Sequence, residues 1–184
     1  MHQSLHNMNS KELGRLFPVE IAEPNPNWRL LYEQECARVR ARFGEPIHCI
    51  DHIGSTSVPG LRAKPVIDIL LQITRDCDVK RVTDMMQDLG YDIIRKLENP
   101  PPHLLCVKGY TPAGYQGQPF HVQVRYPGEW DELRFRDILI AHPPIANDYA
   151  RLKEKLAAQY KHDRDAYTDA KSEFIKAILE QPWK

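Results

Sequence analysis

"IHCIDHIGSTSVPGLRAKPVIDILLQI", residues 47–73, holds the features that decide the fold. Its two ends, "IHCIDHI" and "PVIDILLQI", are short runs rich in Ile, Val and Leu, with the length and composition of buried strands. Between them, residues 54–57 crowd a glycine and three hydroxyl residues into one turn, and "VPGLRAK" completes the connection. The two strands are expected to pair through that loop. Gly54, Ser55, Thr56 and Ser57 read as a cradle for a phosphate oxygen, because backbone N–H groups and hydroxyls converge there and glycine allows close approach. The same four residues are also an ordinary turn composition.

Asp68 interrupts the second apolar run, and a carboxylate buried there without a partner costs several kcal/mol, so it must meet a metal, a cation or a hydrogen-bond donor. Lys64 precedes it on the loop, where an ammonium neutralises phosphate charge as a point cation or simply stands in solvent. Further along, "FHVQVRY" alternates, with Phe120, Val122, Val124 and Tyr126 on one face and His121, Gln123 and Arg125 on the other. His121 on that polar face suits a metal ligand, a general base or a phosphate contact, and equally a hydrogen-bonded structural histidine.

Outward from these strands the pattern is mixed. Residues 28–43 place Trp28, Leu31, Tyr32, Cys36, Val39 and Phe43 at helical spacing after Asn27 as a candidate cap, with Gly44 and Pro46 as terminators. "DCDVKRVTDMMQDLG" reads as a capped helix ending at Gly90. "YDIIRKL" and "LLCVKGY" are further strands, and "ENPPPH" and "TPAGYQGQP" read as loops. From Glu129 onward the pattern is helical throughout, with the last run, "DRDAYTDAKSEFIKAIL", read as a single segment. The expected fold is α+β, a mixed sheet of about five strands with helices packed on it and a helical C-terminal part. Residues 1–18 read as a flexible N-terminal arm and residues 19–184 as a single domain.

Lys plus Arg and Asp plus Glu number 25 each, so no global basic field exists for bulk nucleic-acid binding. The four cysteines form no C-x-x-C pair, which argues against a zinc knuckle or redox motif. With no signal-like or membrane-spanning apolar run, a cytoplasmic protein is expected. Oligomeric state is left open.

Gly-Ser followed after twelve residues by a strand aspartate resembles the opening of the nucleotidyltransferase pattern of the DNA polymerase beta type. "IDHIGSTSVPGLRAKPVIDILL", with "FRDILIAHP", "DYARLKEKLA" and "DAYTDAKSEFI", resembles the GrpB family, a branch of that nucleotidyltransferase-like superfamily, over nearly the whole chain. The resemblance implies a nucleotidyltransferase-like fold, a nucleotide triphosphate as substrate and Mg2+ as cofactor. It implies Asp68 and His121 as catalytic and metal-holding residues, and the residues of the 54–57 turn, Lys64 and Arg136 as phosphate-binding residues. Two departures bear on it. Leu70 stands where a second carboxylate is expected, and Gln123 where family members commonly have a second histidine of His-x-His. The chain is therefore expected to be a nucleotidyl or phosphoryl transferase acting on a phosphorylated small molecule, or a non-catalytic nucleotide- or anion-binding module that has lost the second metal-binding carboxylate. A third reading is an interaction protein working through its C-terminal helices. Tyr167 and Lys171, four apart, either close a ligand cleft or pack the last helix.

Overall fold

The computed structural model describes residues 8–45 and 47–183. The order is α1 (Ser10–Leu16), α2 (Asn27–Phe43), β1 (Ile47–Ile53), β2 (Ile67–Ile73), α3 (Val79–Asp88), β3 (Asp92–Arg95), β4 (Leu104–Thr111), β5 (Gly114–Arg125), α4 (Asp131–Ala141), α5 (Pro143–Gln159), α6 (Arg164–Asp169) and α7 (Ser172–Leu179). A 3-10 turn, Ser55–Ser57, separates β1 from the loop to β2. The fold is the expected α+β arrangement with a mixed five-stranded sheet.

The strands lie in the order β1-β2-β5-β4-β3, with β2 and β5 parallel and the other neighbours antiparallel. Hydrophobic alternation sets which face each side chain takes. Ile67, Ile69, Leu71 and Ile73 of β2 point to the same side as Val122 and Val124 of β5, where Trp28, Val39 and Phe43 of α2 and Val82, Met85 and Met86 of α3 cover them. Glu35 is buried within this layer and is satisfied by Tyr91, Lys108 and Arg38. On the opposite side α4, α5 and α7 form a second apolar cluster with Val58 and Leu61. These helices cover only part of that face, and a cleft remains.

Four sequence expectations change. Residues 10–16, placed in the flexible arm, form α1: Asn9 and Glu12 make a reciprocal capping box, and Gly14 packs so tightly on the His162 backbone that a Cβ would lie 1.9 Å from its carbonyl oxygen. Residues 1–7 of the arm, and Pro46 as a helix terminator, lie outside the described residues. The segment "TPAGYQGQP" is mostly strand, since β5 begins at Gly114 and pairs with β4 through Tyr110–Tyr115 and Thr111–Gly114; its glycines masked the hairpin. The final helical run breaks at Ala170–Lys171 into α6 and α7. At the start of α2, the Asn25 side chain rather than that of Asn27 serves the exposed N–H groups, accepting from Asn27 N at 2.9 Å.

Candidate functional site

Gly54 and Asp68 are fourteen residues apart and touch because β1 and β2 pair antiparallel, with Ile53 opposite Asp68. Gly54 has φ +70°, and a Cβ there would lie 2.6 Å from Asp68 Oδ2. Glycine is required on both counts. The parallel pairing of β2 with β5 then sets Asp68 beside His121 and Leu70 beside Gln123.

Asp68 Oδ1 lies 3.2 Å from His121 Nδ1, and Tyr110 Oη lies 2.7 Å from His121 Nε2. Arg164 donates to Tyr110 Oη at 3.4 Å, to Tyr115 Oη at 3.1 Å and to the Phe17 carbonyl at 3.2 Å. The hydrogen bonds form one consistent chain. Arg164 donates to the phenol, the phenol donates to Nε2, and Nδ1–H donates to the carboxylate, which fixes the tautomer of His121. Burial pushes the Tyr110 phenol well above its usual range, so it keeps the proton it donates. Burial works to raise the Asp68 pKa, but the hydrogen bond from His121 and the nearby ammonium groups of Lys64 and Lys171 outweigh it and hold the carboxyl below its usual range.

Tyr110 reaches this face through an irregularity. Simple alternation from Val107, opposite His121, would send residue 110 to the other side, but the register shifts between Lys108 and Tyr110. Gly109, with φ +88°, makes the shift possible, since a Cβ there would lie 2.9 Å from Pro119 Cα.

Around Asp68 the cleft is rich in cations. Lys64 Nζ stands 5.2 Å and Lys171 Nζ 4.3 Å from the centre of the buried Tyr167 ring, and Lys153 Nζ stands 4.9 Å from that of Tyr149. Burial first, then repulsion from Arg164 and Lys171, pushes Lys64 down to about 7. Lys153, 2% exposed and donating to the Arg62 carbonyl, is likewise pushed down to about 7, chiefly by burial. Among the described residues, no carboxylate lies within ion-pair distance of Lys64, Lys153, Lys171 or Arg164. The cleft holding these groups has a volume of about 1430 Å³, larger than the ~300–1,000 Å³ of ordinary small-molecule sites.

The expected site residues divide. Gly54, Ser55, Thr56, Lys64, Asp68, His121 and Arg136 all line the cleft. Thr56 is buried, with its hydroxyl 3.0 Å from His52 Nε2 and donating to the Val66 carbonyl at 3.3 Å. Ser57 donates to the Gly54 carbonyl at 2.5 Å and lines a smaller groove behind the turn. Both hydroxyls therefore hold the turn. Arg136 binds the His52 carbonyl at 3.0 Å and Asp137 at 2.8 Å, with Asp51 at 3.8 Å, and so ties α4 to the end of β1. Tyr110, Lys153 and Arg164 were not singled out by sequence. Lys153 carried a signal, because it falls on the buried stripe Ala146, Tyr149, Ala150, Leu156, Ala157 of α5, where a lysine is out of place.

The donor set does not fit a magnesium site of the kind the resemblance implies. Asp68 is the one carboxylate at its centre, both ring nitrogens of His121 are engaged, Gln123 Oε1 accepts from Arg125 at 2.6 Å, and the second acidic place is Leu70 at 0% exposure. Ammonium groups surround the carboxylate in place of further oxygen ligands.

A mixed sheet that brings a Gly-Ser turn onto a strand aspartate defines a nucleotidyltransferase-like arrangement. The family described as GrpB protein matches residues 18–181, and the chain belongs to it. It is 40% identical over 163 residues to UPF0157 protein PA4798 of Pseudomonas aeruginosa, covering 88% of this chain and 66% of that protein. The crystal structure of conserved protein GrpB from Enterococcus faecalis superposes with a TM-score of 0.72 at 28% identity, covering 88% of this chain and 95% of that one. A dephospho-CoA kinase of Mycolicibacterium paratuberculosis is 24% identical over 200 residues, covering 97% of this chain and 49% of that protein. The chain spans about half to two thirds of the length of the first curated relatives it matches. No helix among the described residues is long and apolar enough to cross a membrane.

Proposed function

We propose that the cleft binds a nucleotide or a related phosphorylated small molecule, with its phosphates against the Gly54–Ser55 backbone and the ammonium groups of Lys64 and Lys171. The observation that carries this reading is the convergence of the Gly54 turn, Lys64 and Lys171 on one carboxylate, inside a cleft large enough for a nucleotide. Fixed dipoles and cations in a partly desolvated cleft favour bound phosphate strongly. The likeness to proteins named dephospho-CoA kinase agrees with a nucleotide-related role.

A second reading, transfer of a phosphoryl or nucleotidyl group to an acceptor, is favoured by Asp68 itself. Its side chain opens 31% of its surface to the cleft and stays ionised, so it can accept a hydrogen bond from an acceptor hydroxyl and orient it for attack while His121 holds the carboxylate in place.

A thermal-shift series against the four ribonucleoside triphosphates, CoA and dephospho-CoA tests the binding reading. At least one ligand at a hundredfold excess over its Kd should add about 2.7 kcal/mol to stability and raise the melting midpoint by several degrees, with a smaller rise in Lys64→Gln. A cooperatively melting protein that responds to none of the six overturns it. Consumption of the bound nucleotide, lost in Asp68→Asn, separates transfer from binding alone.

A further inference from the structure

On the reading that the cleft takes a phosphorylated ligand, we propose that the ligand is an organic di- or triphosphate bound without a divalent metal, its charge neutralised by Lys64, Lys153, Lys171 and Arg164. Three ammonium groups and one guanidinium gather near Asp68, and although Asp92, Glu129, Asp131, Glu132, Asp165 and Glu180 line other parts of the cleft, none of the four cations has a carboxylate within ion-pair distance among the described residues. A local cluster of unpaired like charges in a low-dielectric part of a cleft is costly, and it persists where a polyanion completes the site. One phosphate would leave part of this charge unmatched, whereas two or three linked phosphates match it.

The positions of the cations agree with replacement of a metal. Where a second carboxylate would bring a metal to the phosphates, Leu70 is fully buried and offers no ligand. Lys64 comes from the loop before β2, Lys153 from α5, Arg164 from α6 and Lys171 from the break between α6 and α7, so the positive charge is supplied by four separate places along the chain. Tyr167 and Tyr149 hold the three ammonium groups at 4.3–5.2 Å from their ring centres, which limits their freedom before a ligand enters. Burial and mutual repulsion depress Lys64 and Lys153 to about 7, the strain a bound polyanion relieves.

Calorimetric titration with ATP and with inorganic triphosphate, each in EDTA and in excess MgCl2, tests the proposal. Both probes should bind in EDTA, and magnesium should weaken them several-fold by taking charge from the ligand. Tighter binding of ATP than of inorganic triphosphate would place an organic group in the cleft; equal or weaker binding would overturn the organic part of the assignment. Lys171→Gln should weaken ATP about tenfold and Lys171→Arg should recover most of that loss, with Lys64→Gln as a second variant and melting curves confirming that each folds. Binding that needs magnesium, or that is unchanged in both Gln variants, overturns metal-free recognition while leaving a phosphorylated ligand in place. No binding of either probe in either buffer removes the phosphate reading itself, and this proposal with it.

Discussion

On β2, Ile67, Ile69, Leu71 and Ile73 lie at 0% exposure against α2 and α3, whereas their neighbour Asp68 opens 31% of its side chain to the cleft on the other side of the same sheet. The first face is dry and its buried charge, Glu35, is fully partnered by Lys108, Tyr91 and Arg38. The second face gathers cations near the ionised Asp68 that, among the described residues, have no carboxylate within ion-pair distance. One face is arranged to be stable as it stands; the other holds charge that makes sense in the presence of a ligand. Folding energy comes from the first and supports the electrostatic cost of the second.

The largest effect should come from forcing the second face toward a metal site. Leu70→Asp places a carboxylate at a fully buried position between Asp51 and Gln123 in the strand register, and should cost about 3–5 kcal/mol in urea unfolding, with no recovery on adding magnesium. Recovery by magnesium would show that the cleft can assemble a metal site after all. On the dry face, Ile69→Ala should cost about 2–4 kcal/mol and leave the affinity for a cleft ligand unchanged below the melting range. A large affinity change would break the separation of the two faces.

Gly54→Ala probes the seam between them. Positive φ and the 2.6 Å approach to Asp68 Oδ2 should together cost about 1–3 kcal/mol, and the penalty should shrink in an Asp68→Ala background, read as a coupling energy in a double-mutant cycle. Additive effects would mean that the backbone conformation alone requires glycine.

The smallest effect is a pH dependence. Lys64 and Lys153 fall to about 7 in the folded protein from 10.5, so below pH 7 both states are protonated and the full burial penalty is present. Between about 7 and 10.5 the native protein has released protons that the unfolded chain still holds, and stability rises with pH. A rise in the urea midpoint between pH 7 and 9 is therefore expected. Lys153→Met should flatten it, and a profile unchanged by that substitution would remove Lys153 from the account.

Much of this was legible before any coordinates. The Ile-, Val- and Leu-rich runs placed β1 and β2, the alternation of "FHVQVRY" put His121 and Gln123 on a polar face, and Asp68 announced itself as a carboxylate needing partners. Composition misled where glycine served a strand: the residues that marked "TPAGYQGQP" as a loop belong to the β4–β5 hairpin. Periodicity misled at Tyr110, because one shift in register at Gly109 reverses the face of every residue beyond it. It also ran through the break at Lys171, since α6 and α7 keep a helical pattern across the kink.

By itself the sequence determined the α+β class, the pairing of the two strands around the Gly54 turn, and the presence of a strand aspartate that must meet a metal, a cation or a hydrogen-bond donor. Those follow from local rules of burial and backbone freedom that act over a few residues. Only the tertiary structure decided that Lys153, Arg164 and Lys171 join Lys64 around that aspartate, that Tyr110 engages His121, and that Thr56, Ser57 and Arg136 brace the turn. Lys64 and Lys171 lie 107 residues apart, and these charges interact only because the sheet register and the break between α6 and α7 bring them to one cleft.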